Sequence, residues 1–586
     1  MIARLKSPAF LIWLALALVL LWTGRDHVLA NSGWDPDDQL RMVQLRDFLA
    51  GQSWFDTTQY RLNAPDGGPM HWSRLIELPL ALLVMLLKPL FGQTAAEMAA
   101  GVIIPLGCFG LVVFMLSRIA QHIGARNAGL VAVIIAMVSP ALSMQLRPMR
   151  IDHHGWQIAC SALALWSLFW PKARKAGVAM GLALAFWLHI SLEGAPAAIV
   201  FFALLAWRWA LLGEPGERLG WTVLAFSGGS VALYFLTQPT GLSARNFCDT
   251  ISPAHIYAIS AAAAVMLPAA FWLPANRLVR LVAASVAGAA AIGILLWLAP
   301  QCGKGAFSTM DPIVREYWYE RVTEGLPIWR QKLVVAVSLV GVPLAAIGTI
   351  GWLYRGASPD QKGKLLTLVC LLVYGSVLAC LVFRTISFAT MVAVPVLAIA
   401  IEKLFRRYRE EQVAARRIGL VALMIMLLMP GAVIAHGATL LSPDLRAEAE
   451  PKKQAEMSSS ESCDTIPAVQ ALSTLKNARL VAPFDIGPAI LLTTPHSVLA
   501  SSHHRNETGM RDHIDIYRLP EARAREIVMR RGITHIVGCL EEPEMKAYVK
   551  GDPDGLWAQL AKGDTPDWLQ PVPISGSGLK VWRVSR

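Results

Sequence analysis

The feature that most constrains this chain is its succession of apolar runs of about 20 residues separated by short basic loops, the pattern of a polytopic membrane protein. Of its 586 residues, 55% are hydrophobic and only 16% charged. That balance excludes an ordinary soluble domain. The net charge of +12 does not indicate nucleic acid. Its basic residues cluster in loops between apolar runs, and no zinc-finger spacing, P-loop, dinucleotide fingerprint or internal repeat accompanies them. Arg4 and Lys6 place the N-terminus in the cytoplasm, and the run ending at Trp22 reads as a retained first helix rather than a cleaved signal peptide.

The run 75–92 decides the topology. If it crosses the membrane, the basic loop Arg118–Arg126 and nearly every later basic loop fall outside. If it lies in or beside the membrane, as part of a first outer loop over 24–97, then 118–126, 172–175, 208–218, 277–280, 355–364 and 403–417 all face inward. This second pattern gives about thirteen spans. The expected domains are therefore a transmembrane catalytic domain, 1–436, with a long outer loop at 300–331, and a region 437–586 beyond the last span. That region has strand-like stretches at 478–484, 497–500, 534–539 and 579–584 and helical ones at 519–531 and 541–562. It reads as a small extracytoplasmic α/β domain behind a charged, Ser-rich linker at 444–462.

Cysteine placement agrees with this topology. Cys108, Cys160, Cys370 and Cys380 sit within apolar runs as small hydrophobes. Cys248 and Cys302 fall in outer loops, and Cys463 and Cys539 in the C-terminal region. Four outward cysteines permit three pairings or four free thiols, and Cys248–Cys302 with Cys463–Cys539 is the expected pairing in an oxidising periplasm.

Three acidic sites converge on the outer face: Trp34-Asp-Pro-Asp-Asp-Gln-Leu-Arg41, the Asp152-His-His154 stretch that follows Arg147 and Arg150, and Val322-Thr-Glu-Gly-Leu-Pro327. Ionisable groups at a membrane edge read as functional. Asp, His and Glu together suit Mg²⁺ or Mn²⁺, and such an ion could neutralise a phosphate leaving group. Asp37 and Asp38 either position an acceptor or cap the loop. Trp54 and Trp72 either stack on sugar rings or anchor the interface. Glu193, at a helix end, is either structural or a donor contact.

These motifs resemble those of oligosaccharyltransferase catalytic subunits of the bacterial and archaeal type, members of the GT-C glycosyltransferase class. Asp35 and Arg41 match the Asp-Pro motif and its following Arg, and Asp152 with His154 matches the archaeal form of the second motif. Glu324, followed by Pro327, resembles the fifth-loop motif, and Arg384 stands where the family places a pyrophosphate-binding Arg. The resemblance implies catalytic roles for Asp35, Asp152 and Glu324, and a Mn²⁺ or Mg²⁺ ion held by Asp35, Asp152, His154 and Glu324. It further implies donor-phosphate binding by Arg384, with Arg147 or Arg150. The family's Trp-Trp-Asp-Tyr-Gly motif has its counterpart in Pro483-Phe-Asp-Ile-Gly487. Asp485 remains but both tryptophans are gone, which argues against reading of an Asn-x-Ser/Thr sequon. His504 and Arg505 form a second candidate acceptor contact.

The expected activity is inverting transfer of a sugar or oligosaccharide from a polyprenyl-(pyro)phosphate donor to a periplasmic acceptor, either protein or envelope glycan or lipid, in a bacterial inner membrane. The competing class is a transporter or flippase of envelope precursors, in which charges mark a path near the bilayer midplane. One-sided acids and the lack of repeated halves weigh against it. Sequence leaves the oligomeric state open.

Overall fold

The computed structural model describes residues 7–238, 240–443, 445, 446, 463 and 465–585. Arg4, Lys6 and nearly all of the expected linker lie outside them. The chain forms two compact units. One comprises residues 1–24, 102–308 and 323–450, and the other 25–101, 309–322 and 451–586.

The first unit is a helical bundle. Among the described residues, eight helices are long and apolar enough to cross a membrane, or up to ten if each of two bent helix pairs counts as one span. One bent pair, Ala128–Val138 with Pro140–Leu146, breaks by 69° at Ser139, where Pro140 removes a backbone donor. The segment Phe383–Glu410 is the axis of the bundle. Its apolar window is 83% buried, against 6% for Arg277–Leu298 at the periphery. Small residues allow close approach at one crossing: a Cβ on Gly431 would stand 1.6 Å from the Ser338 carbonyl oxygen. Cys248 and Cys302 are bonded in this unit, and Cys108 and Cys160 are buried thiols.

The second unit carries the sheet. Five strands, β1 (Arg479–Val481), β2 (Ser497–Val498), β3 (His535–Gly538), β4 (Leu569–Pro571) and β5 (Lys580–Val584), are ordered β2-β1-β3-β5-β4. The pairs β1/β2 and β1/β3 are parallel, and β3/β5 and β4/β5 antiparallel. Three-residue β4 has no alternation to announce it in sequence. The expected helix over 541–562 is two, Pro543–Gly551 and Leu556–Ala561, broken at Asp552–Gly555. Helix Glu507–Arg518, not among the expected helices, buries Met510, Ile514 and Tyr517, an i, i+4, i+7 stripe. Cys463 and Cys539 are bonded here.

Residues 25–101 are knitted to the C-terminal region by backbone-directed arginines. Arg61 donates to the carbonyls of Leu491 and Thr494, Arg46 to that of Leu492, and Leu62 extends the sheet by a parallel bridge to Val498. Segment 309–322 joins them through Asp311, which pairs with Arg511 at 2.8 Å, and Tyr317, stacked on Tyr548. The run 75–92 forms helix Glu77–Phe91. At about 1.5 Å per residue it is roughly 22 Å long, short of the ~30 Å hydrocarbon core. Leu80, Ala81 and Val84 face inward, while Leu82, Met85, Leu86 and Leu90 are exposed. An exposed apolar face on a short helix suits an orientation in the plane of a membrane surface.

Candidate active site

The Asp-His-His stretch sits in a tight turn between helices Pro140–Leu146 and His154–Ser167. Pro148 keeps Arg147 extended, and Met149 then takes a left-handed conformation with φ 66°, unusual for a side chain of that size. The reversal brings Arg150 back onto Asp152. Its guanidinium lies 2.8 Å from the carboxylate, and both side chains are nearly buried, at 7% and 1% exposure. Asp152 also accepts the backbone N–H of His154 at 2.9 Å, two residues on, where the next helix begins. Burial opposes the charge on Asp152. Arg150 and the two neighbouring histidines outweigh it and hold the carboxyl well below the usual carboxylate range.

His153 and His154 follow with ring centroids 4.4 Å apart. Gln157, held by the Trp187 indole N–H at 2.9 Å, lies 3.5 Å from His154 Nδ1. One ligand atom from each of His153, His154 and Glu193 can be chosen so that all lie within 4.8 Å of one another. Glu193 is offered by a 3₁₀ turn, Leu192–Gly194, whose Gly194 packs against the Trp187 indole so tightly that a Cβ would stand 2.3 Å from Nε1. Arg384, at the start of the axial segment, lies 2.6 Å from Glu193 and 3.5 Å from Glu324. The Glu324 turn is held to that segment by the Phe383 N–H donating to the Leu326 carbonyl. The result is a file of alternating charge at one end of the bundle: Arg150, Asp152, the His pair, Glu193, Arg384, Glu324.

The sequence points to Asp35, Asp152, His154 and Glu324 as ligands. In this unit the group whose ligand atoms come together is His153, His154 and Glu193, with Asp152 3.8 Å from His154 Nε2 and Glu324 against Arg384. Arg147 is in the same turn, its carbonyl accepting the Arg150 N–H. The signal for His153 was adjacency to His154 alone, since sequence does not show which of two consecutive histidines faces an acid.

Asp35 belongs to the other unit. There it N-caps helix Pro36–Leu49, accepting from the Asp38 N–H at 3.0 Å, while Asp38 returns the bond to the Trp34 N–H. Capping therefore falls to Asp35 and Asp38 together. Arg41 is buried between Glu77, at 3.0 Å, and the face of Trp72, 4.4 Å from the ring centroid. That environment is structural and also fixes Trp72. Trp54 packs edge-on against Phe48.

Asp485 tops the turn before helix Gly487–Thr493. The turn is clamped by Glu544, which accepts from the Phe484 N–H at 2.7 Å and the Tyr548 hydroxyl at 2.9 Å, with His513 Nε2 at 2.7 Å. A Cβ on Gly487 would stand 2.8 Å from the Ala500 carbonyl oxygen, so glycine is required there. The Asp485 side chain reaches solvent on one side. Burial of its carboxyl on the other, followed by the nearby charges of Glu544 and Asp35, pushes it up to about 6. The His504 ring lies 4.8 Å from that of His71, tilted by 48°, and stacks on Trp318 at 6.1 Å, and Arg505 follows it in chain order before buried Asn506.

No family model and no curated protein sequence matches this chain. Its fold is nevertheless similar to that of a solved oligosaccharyltransferase. The structure of the Archaeoglobus fulgidus oligosaccharyltransferase AglB with an inhibitory peptide and a dolichol-phosphate aligns with TM-score 0.64 at 12% identity, over 92% of this chain and 70% of that one. The same archaeal enzyme tethered to an acceptor peptide containing the NVT sequon aligns with TM-score 0.60 at 11% identity, over 100% and 75%. Its complex with Zn and sulfate aligns with TM-score 0.54 at 12% identity, over 90% and 68%. At such identities the likeness is one of fold.

Proposed function

We propose that this protein is a glycosyltransferase of the bacterial inner membrane that moves a sugar or oligosaccharide from a polyprenyl-linked phosphate or pyrophosphate donor to an acceptor on the periplasmic side, where residues 437–586 also lie. The observation that carries it is Arg384 fixed between Glu193 and Glu324 beside the paired histidines. Such a guanidinium is a forked donor for phosphate oxygens, next to a potential cation site at the edge of a membrane bundle. The oligosaccharyltransferase fold and the dolichol-phosphate held by the archaeal enzyme support the reading.

Two imidazoles and a carboxylate, with Asp152 behind them, fit a divalent ion. This donor set favours Mn²⁺ or Zn²⁺ over Mg²⁺, which prefers oxygen ligands. When bound, the ion would stabilise negative charge on the departing phosphate. The chain's own groups do the rest. Arg384 binds and orients the donor phosphate, with Arg147 as a second cation. Arg150 keeps Asp152 ionised, and Asp152 in turn orients His154. The acceptor's nucleophilic atom bonds to the anomeric carbon from the face opposite the phosphate. The carbon–oxygen bond to phosphate breaks with its electron pair on that oxygen, and the acceptor's proton passes to a carboxylate such as Glu324. Asp35 joins the proposal on its motif alone.

On the acceptor side, Asp485 keeps the place of the sequon-reading acid without its two tryptophans. His504, His71 and Trp318 offer flat rings to an acceptor, and this combination favours an envelope glycan or glycolipid. The test is complementation of a deletion strain with Arg384→Gln and Glu324→Gln, followed by mass spectrometry of envelope glycans and glycoproteins. Both variants should lose the product at normal protein level. Unchanged products in both would exclude the assignment. Cysteine labelling of the 465–585 region from the periplasm checks the topology.

A further inference from the structure

The axial segment carries a second charged group at its other end. Lys403, Arg406 and Arg407 line a cavity of about 490 Å³ together with Ile123–Ala125, Gly356, Ala357 and Gln361. Three basic loops far apart in sequence, 118–126, 355–364 and 403–417, thus meet at one place. All three were assigned to the inner face by charge.

The cations are packed closely. Lys403 Nζ and Arg407 Cζ both sit over the Trp352 ring, 4.7 and 5.1 Å from its centroid. A Cβ on Gly356 would come within 3.2 Å of Lys403 Nζ, so the backbone itself approaches the ammonium. Arg406 is neutralised by Glu402 at 2.7 Å, but neither Lys403 nor Arg407 forms an ion pair among the described residues. Two like charges sharing one indole repel each other, and against three cations the lining offers a single acid, Glu410. Gln361, in the first turn of helix Pro359–Leu381, lines the same cavity and donates to the Ile123 carbonyl at 2.9 Å. The opposite wall is apolar: Ile123, Leu353, Leu365 and Ile399.

A cavity with cations at one side and aliphatic side chains at the other matches a molecule built the same way. We propose that it binds the phosphate of an anionic phospholipid, the glycerol and upper acyl chains lying against Ile123, Leu365 and Ile399. Arg384 and Lys403 lie on one continuous segment roughly 19 residues apart, or about 28 Å at helical rise. The lipid therefore belongs to the leaflet opposite the Asp152–Arg384 site, and its binding is independent of the reaction proposed there.

The test uses the purified full-length protein in neutral detergent. Thermal unfolding is followed with short-chain phosphatidylglycerol, short-chain phosphatidylcholine or inorganic phosphate. Phosphatidylglycerol at about a hundredfold excess over Kd should raise Tm by roughly 2 °C. The double variant Lys403→Gln, Arg407→Gln should abolish that shift. An equal shift with phosphatidylcholine, a shift produced by phosphate alone, or a shift retained in the double variant would each overturn the proposal. Native mass spectrometry of the unaltered protein gives a second measurement that needs no variant. Adducts of phosphatidylglycerol should outnumber those of phosphatidylcholine from an equimolar mixture, and equal numbers would overturn the proposal.

Discussion

Arg384 Nη1 lies 2.6 Å from Glu193 Oε1, a pair joining two residues nearly two hundred positions apart at one end of the bundle. The short separation means that each holds the other for a role neither performs alone. Glu193 keeps the guanidinium turned toward the histidines, and Arg384 holds the carboxylate beside them. Replacing Arg384 with Gln should lower kcat/KM for glycosyl transfer by about 10²–10³-fold, as removal of one group that stabilises charge in the transition state does. Arg384→Lys should recover only part of this, because a single ammonium cannot bridge Glu193, Glu324 and a phosphate together. Steady-state kinetics on the reconstituted variants decides it.

Removing bound metal with a chelator should abolish transfer, and Mn²⁺ should restore it better than Mg²⁺. His153→Ala and His154→Ala should each weaken Mn²⁺ binding by at least the roughly 10–100-fold that loss of a mere supporting residue costs. Calorimetric titration of the metal measures this without a turnover assay. Unchanged affinity in both would remove His153 and His154 from the ligand set.

Arg150 and Asp152 form a buried pair, and cutting it should cost stability. Arg150→Met leaves the Asp152 charge without its closest partner, and a loss of about 3–5 kcal/mol is expected in unfolding measurements. Because Asp152 is depressed below its unfolded value near 3.9, its contribution is present above that pH and lost as pH falls through the folded value. Arg150→Met should therefore flatten the acid limb of the stability profile.

Asp485 has the opposite sign. Its carboxyl is raised to about 6, so the folded protein holds a proton that the unfolded chain has released near pH 4. Stability should fall as pH rises from about 4 to 6, and Asp485→Asn should remove that slope. If the acceptor meets this carboxyl in its protonated form, the acceptor KM of the native protein should also rise across pH 6, with kcat less affected. Parallel pH profiles of native protein and variant measure both.

Membrane class and the small α/β region were legible in the sequence, because each depends on hydrophobic period and length. Legible too were the residues of the charged site, since ionisable groups stand out among apolar runs. What sequence did not show was their relation. The left-handed turn at Met149 decides that His153 joins His154. The packing of Gly194 on Trp187 decides that Glu193 points at Arg384. These are consequences of tertiary contacts between distant segments, which local pattern does not carry. The same holds for Arg41, whose motif position suggested chemistry and whose burial against Glu77 and Trp72 gives it a structural place.

The axial segment Phe383–Glu410 has a consequence for the membrane itself. Buried along most of its apolar length, it can neither tilt nor slide without displacing the helices around it. The distance from Arg384 to Lys403, about 28 Å at helical rise, is therefore a fixed gauge of hydrocarbon thickness. A bilayer much thicker than the gauge would cover the guanidinium with acyl chains, and a much thinner one would expose the apolar flank of the bundle. Transfer should therefore peak in lipids whose chain length matches the gauge, so that thickness selects the membranes in which this protein works.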